Sequence, residues 1–196
     1  MVEPMLLPIT DADGILLDLR YASVDNLLGR AVYARPVALL RPEARDALLL
    51  AAGRARAIGL ALKLYDAFRP LEAQWMFWRA APDKTFVADP RTGGTHPRGI
   101  AVDLTLVDAA TGRDLPMGTG FDEFSALSAH GRLDGLAPEA LRNRALLLGL
   151  MTACGWEHYA PEWWHYHLQG RDLYPALSAA DVPGGPMDGD GPGPGA

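Results

Sequence analysis

Apolar residues recur along this chain at two different periods, and the switches between them mark its elements. From Arg41 the stretch RPEARDALLLAAGRARAIG repeats its apolar positions at helical spacing, with Pro42 suited to a first turn and Gly59 to a C-terminal cap. LALKLYDAF, from Leu60, is an almost continuous apolar run of strand length. RPLEAQWMFWRAA starts a second helix, again with a proline, Pro70, in its first turn. GIAVDLTLV, from Gly99, predicts a second buried strand, and DAATGRD after it predicts a turn. APEALRNRALLLGLMTACG predicts a third helix, opened near Pro138 and closed by Gly155. WEHYAPEWWHYHL, from Trp156, is aromatic and alternating and reads as two short strands joined at APE. Helices interspersed with turn-linked strands predict an α+β fold: a single domain with helices packed on a mainly antiparallel sheet.

The pattern stops at DVPGGPMDGDGPGPGA, Asp181–Ala196, which is almost all Gly, Pro and Asp. Such a segment buries too little apolar surface to offset its ordering entropy. The expectation is a domain over residues 1–180 and a disordered tail over 181–196.

Composition narrows the function classes. The chain has 196 residues, the length of one domain, and 49% of them are apolar, enough for a core. A net charge of −6 gives no electrostatic footprint for nucleic acid. No apolar run reaches the roughly 18 residues of a membrane helix, and MVEPMLLPITDADG at the start has no basic region ahead of an apolar one. With a single cysteine, Cys154, read as a small buried hydrophobe, these features predict a cytoplasmic protein that engages neither nucleic acid nor membrane. Trp75 and Trp78 are expected in the core.

Candidate chemistry begins at His96, in the Gly/Pro-broken loop GGTHPRG. A strand that buries Ile100, Val102, Leu104 and Leu106 has no packing need for the carboxylate of Asp103. Imidazole nitrogen and carboxylate oxygen are both zinc donors, and a loop residue and a strand residue at this spacing can converge on one ion. Alone, the pair also fits a loop histidine and a water-facing aspartate. In PEWWHYHL, Glu162 precedes His165 by three residues, a spacing that faces opposite sides of an ideal strand. Glu162 is therefore expected in the turn before the strand, within reach of a metal bound by His165 without ligating it. Two histidines and an aspartate around zinc, an open fourth position for water and a carboxylate beside that water form a zinc hydrolase centre. His165 and His167 share a strand face, so either or both could be ligands; the spacing to Glu162 favours His165. His130 is expected at the surface.

These residues also carry a resemblance. THPRGIAVDLTL resembles the Ser-x-His-x-x-Gly-x-Ala-x-Asp pattern of zinc D,D-peptidases, and EWWHY resembles their Glu-x-x-His. LRYASVDNLLGRAVY, YDAFRP and PMGTGFD narrow it to the D-alanyl-D-alanine dipeptidases, over about Leu16 to Tyr174. The resemblance implies one zinc per chain on His96, Asp103 and His165, with Glu162 as catalytic base. It implies that Arg69 stabilises the developing oxyanion and that Asp122 receives the ammonium of a small dipeptide substrate, D-Ala-D-Ala. By the residues alone, Arg69 also reads as a surface ion-pair former and Asp122 as a helix N-cap. Tyr21 and Asn26 are expected to shape the pocket or its lid. Thr95 stands where the pattern has serine and keeps the hydroxyl; Gly94 replaces a further serine and removes one substrate hydrogen bond. His158 and His167 have no counterpart and are taken as structural. The nearest alternative is a D,D- or L,D-carboxypeptidase or endopeptidase using the same zinc set on peptidoglycan peptides; a non-catalytic zinc module has no use for Glu162 or Arg69.

Overall fold

A computed structural model describes residues 5–92 and 94–189. In chain order the elements are β1 (Leu7–Ile9), β2 (Leu16–Leu17), β3 (Ala38–Leu40), α1 (Pro42–Arg56), β4 (Leu60–Asp66), α2 (Leu71–Ala80), β5 (Ala101–Asp108), α3 (Pro138–Thr152), β6 (Trp156–His158) and β7 (His165–Leu168), with short 3-10 turns between them. A five-stranded sheet has the order β2-β4-β5-β7-β6, and β1 and β3 form a separate antiparallel pair. All pairings are antiparallel except β2 with β4. The fold is α+β, as expected.

Side-chain alternation divides the sheet into two faces. Val102, Leu104 and Leu106 of β5 share one core with Leu62 and Leu64 of β4, Tyr166 of β7, Leu48 of α1 and Leu147 of α3. α1 places Ala44, Leu48, Ala51, Ala52 and Ala55 in the interior at helical spacing, and small alanines let it lie close to the strands. It ends at Arg56, and Gly59 (φ 79°) does not cap it but turns the chain into β4. The opposite face carries Asp103, His165 and His167, and β5 is buried there too from Ala101 to Val107. Covering on both faces explains why this strand reads as an unbroken apolar run around one carboxylate.

The register of β4 against β5 shifts between Leu64 and Asp66, so Tyr65 is the extra residue of a bulge and Asp66 comes to face Asp103. Bulges bend a strand and re-aim its side chains; this one brings a second carboxylate to the end of the sheet where Asp103 lies. α2 covers that region, packing Ala73 and Phe77 against Tyr21, Tyr33 and Val87.

Three expectations are corrected. Trp163 and Trp164 are not in a strand; they lie in the connection from β6 to β7 and are buried beneath it. Trp75 and Trp78 are half-buried, because the inward face of α2 is formed by Ala73, Gln74 and Phe77. The segment from Asp181 to Gly189 packs on the domain: Val182 is buried with Leu6, Phe68 and Leu177, Met187 lies against the aromatic cluster of Tyr21 and Phe77, and the Arg35 backbone N–H donates to Pro186 O at 3.0 Å. Residues 190–196 of the expected tail lie outside the described residues. No helix among the described residues is long and apolar enough to cross a membrane.

Burying a valine contributes roughly 1.5–3 kcal/mol, and in a domain of this size each kcal/mol is worth about 2–4 °C in Tm. Deleting residues 181–196 is therefore expected to lower Tm by several degrees relative to a chain ending at Gly189. Equal melting curves would show that the Val182 contacts carry no stability.

Candidate metal centre and substrate cleft

His96 is supplied by the loop ahead of β5, where Gly99 (φ 71°) closes a short turn that a β-carbon would strain. Asp103 comes from the middle of the sheet and His165 from the facing start of β7, its direct partner in the ladder. Their ligand atoms converge. His96 Nε2 is 3.1 Å from His165 Nδ1 and 3.2 Å from Asp103 Oδ2, and His165 Nδ1 is 3.0 Å from Asp103 Oδ1. All three side chains are almost fully buried.

The donor set fits a zinc ion. His96 Nδ1 lies 2.6 Å from the Ala67 carbonyl, which can only accept, so Nδ1 carries the proton and Nε2 is bare. Thr95 Oγ1 lies 3.3 Å from His165 Nε2 and so holds that ring with Nδ1 turned to the cluster. Two imidazole nitrogens facing each other beside a carboxylate suit a cation. Donors at the usual zinc distances of roughly 2.0–2.1 Å stand about 3.3 Å apart in a tetrahedron, close to the spacings here. Burial opposes the charge on Asp103, but His96 and His165 outweigh it and hold the carboxyl well below the usual range. Burial also lowers the pKa of His165, against the pull of Asp103. Among the described residues this is the one group of three or more such side chains close enough to share an ion.

The cluster opens into a cleft of about 540 Å³, within the range of small-molecule sites. Glu162 is in the turn before β7, held by its backbone N–H to Tyr159 O at 3.0 Å, and its side chain lines the cleft. Its carboxyl is pushed well above the usual range by burial, then by the charges of Asp103 and Asp122, with Arg69 opposing.

Arg69 is no surface residue. It is buried between β4 and α2, where its guanidinium reaches Asp66 Oδ2 at 2.7–2.8 Å, Asp103 Oδ2 at 3.2 Å and Gln74 Oε1 at 3.2 Å, and lies over the Tyr21 ring. Asp122 is the one non-glycine residue with a left-handed backbone among the described residues (φ 57°). It caps no helix: the 3-10 turn after it, Ala126–Ser128, is preceded by Ser125. Its Oδ2 accepts from Tyr21 Oη at 3.0 Å and its carboxyl faces the cleft, where burial first and the Asp103 charge next raise its pKa to about 7.

Thr95 and Tyr21 line the same cleft. Asn26 does not; its amide bonds the Ser23 and Arg30 carbonyls and so braces the loop that carries Tyr21. His167 also borders the cleft, its ring 5.5 Å from that of His165. His130 and His158 meet edge to face at 4.8 Å, outside the cleft.

Sequence reasoning missed Asp66 and Gln74. Asp66 is fully buried, accepts from Tyr33 Oη at 2.8 Å and anchors Arg69. Its signal was weak: a carboxylate at the end of a strand that also carries Lys63, where an acidic residue is ordinary. Gln74 joins Arg69 to a segment roofing the cleft, donating from Nε2 to Ala88 O at 2.8 Å. That roof is further held by Phe86 stacked on Phe124 at 4.9 Å and by Tyr159 Oη donating to Thr85 O at 2.8 Å.

Comparison with known proteins places the chain in a family. The D-ala-D-ala dipeptidase family profile matches residues 9–180. The chain is 43% identical over 162 residues to the D-alanyl-D-alanine dipeptidase of Escherichia coli (strain K12), covering 83% of each protein. It is 36% identical to that of Streptomyces coelicolor over 181 residues and 32% identical to that of Enterococcus faecium over 176 residues, in both cases with 80% of this chain and 87% of the relative covered. This chain is a peptidase and belongs to the D-alanyl-D-alanine dipeptidase family.

Proposed function

We propose that the protein hydrolyses free D-alanyl-D-alanine to two molecules of D-alanine, with one zinc ion held by His96, Asp103 and His165. The observation that carries this reading is the convergence of two imidazole nitrogens, 3.1 Å apart, with the two oxygens of one carboxylate at 3.0 and 3.2 Å, on a cleft also lined by Glu162, Arg69 and Asp122. Family membership supplies the substrate class.

Zinc bound there polarises a carbonyl and eases deprotonation of water. The protein supplies the rest. Glu162 takes a proton from the attacking water as its oxygen bonds to the peptide carbonyl carbon, then returns it to the departing nitrogen as the C–N bond breaks. Burial raises the carboxyl, which favours its holding the proton between the two transfers. Arg69, fixed by Asp66 and Gln74, offers positive charge to the carbonyl oxygen as it becomes an oxyanion. Asp122, oriented by Tyr21, pairs with the substrate ammonium and closes the amino end of the site. Thr95 orients the His165 ring.

The metal test is stoichiometry after dialysis. His165→Ala is expected to lose zinc and His167→Ala to keep one equivalent; the reverse would reassign the ligand. Glu162→Gln is expected to keep zinc and lose about 10²–10⁴-fold in kcat. Zinc loss in that variant would make Glu162 a ligand.

Substrate length tests the function. An N-acyl group removes the ammonium and leaves Asp122 without an ionic partner, a cost of roughly 2–5 kcal/mol, which is about 30- to several-thousand-fold in kcat/KM. Free D-Ala-D-Ala is therefore expected to be cleaved and N-acetyl-D-Ala-D-Ala to be nearly inert. Efficient release of D-alanine from an acylated pentapeptide would turn the reading into a carboxypeptidase. The ionised form of Asp122 binds the ammonium, so kcat/KM for the dipeptide should rise with pH through about 7. The sign for stability is opposite. The unfolded carboxyl loses its proton near 3.8 and the folded one near 7, so ionisation costs stability above the lower value. Asp122→Asn is expected to lose the limb near pH 7 and to melt higher than wild type at pH 8.

A further inference from the structure

A zwitterionic dipeptide brings a carboxylate as well as an ammonium, and the cleft is poor in free positive charge. Asp89, Asp103, Asp122 and Glu162 line it, against Arg69, Lys84 and Arg171. Two of those cations are committed. Arg69 is held by Asp66, Asp103 and Gln74 and is already assigned to the carbonyl oxygen, and Lys84 Nζ donates to the carbonyls of Trp78 and Ala81. Arg98, in the loop of His96, is used internally as well, donating to the carbonyls of Thr92, Gly94 and Tyr174.

Arg171 differs. Its side chain is half exposed and, among the described residues, its one ionic partner is the adjacent Asp172, with Nε 3.4 Å from a carboxylate that is itself 85% exposed. Its position is nevertheless set. The backbone N–H of Leu168 donates to Ile100 O at 2.9 Å, and the Tyr174 carbonyl accepts from Arg98, so residue 171 lies between two tethers to the loop that carries His96. Gly170 (φ 71°) makes the turn between those tethers. Gly94, Thr95 and His167 line the cleft as well, and Thr95 and His167 both adjoin His165. Asp122 is tied instead to Tyr21, on which Arg69 is stacked.

We infer that Arg171 receives the terminal carboxylate of the leaving residue, so that Asp122 and Arg171 read the two charged ends of the dipeptide. This rests on the dipeptidase reading. It makes Arg171 a specificity-determining residue for substrates with a free C-terminus, a role that no residue of the metal centre can fill while Arg69 is held by Asp66.

The test compares D-Ala-D-Ala with D-alanyl-D-alaninamide, which lacks the carboxylate, on zinc-loaded wild type, Arg171→Ala and Arg171→Lys. Wild type is expected to favour the free acid. Arg171→Ala should raise KM for the free acid about ten- to a hundred-fold, the range for a charge-assisted hydrogen bond, with a much smaller change in kcat, and should narrow the preference over the amide. Arg171→Lys should restore part of both. Melting curves check that the folded state is intact. An Arg171→Ala enzyme with wild-type KM and wild-type preference for the acid overturns the carboxylate site while leaving the dipeptidase reading standing. Wild type that cleaves neither compound overturns both.

Discussion

Two carboxylates face each other inside the protein. The bulge at Tyr65 puts Asp66 opposite Asp103, both almost fully buried, and no stable fold leaves such a pair uncompensated. Arg69 bridges them, Tyr33 caps one and the two imidazoles flank the other. Removing one partner from a buried ionic group costs about 3–5 kcal/mol, so the end of the sheet and the reactive centre form together. The arginine proposed to meet the oxyanion is also the counter-ion that lets β4 and β5 close at this edge. Its placement is a condition of folding, which is a sound way to make it rigid.

That dependence explains what could be read from the sequence. Asp103 was visible because β5 is apolar on both faces and a lone carboxylate there has no packing purpose. Glu162 was placed in its turn by strand periodicity alone, since three residues from His165 is the wrong spacing for one face. Asp66 escaped because an acidic residue at a strand end is ordinary; only the bulge, a matter of pairing between distant segments, turns it inward. The tryptophans of EWWHY were misplaced for a related reason: alternation continues past the strand, but Trp163 donates from Nε1 to Thr119 Oγ1 and follows a loop instead. In the tail, Gly and Pro dominate the composition, and Val182 and Met187 suffice to pin the first part of it.

Asp122 shows a different kind of constraint. A left-handed backbone at a residue with a β-carbon costs roughly 1–2 kcal/mol, and burial of its carboxyl adds to that. Both costs fall on a residue whose carboxyl lines the cleft and is proposed to pair with the substrate ammonium. A positive charge brought there offsets the second cost.

Gln74 carries a consequence of its own. Its amide is planar, so pointing the oxygen at Arg69 forces the nitrogen toward Ala88, and the two bonds cannot be reversed one at a time. Displacing the roof at Ala88 frees the amide to rotate and takes a support from the guanidinium. The segment over the cleft and the guanidinium behind it are therefore linked through one side chain, so a change at Ala88 is felt at Arg69.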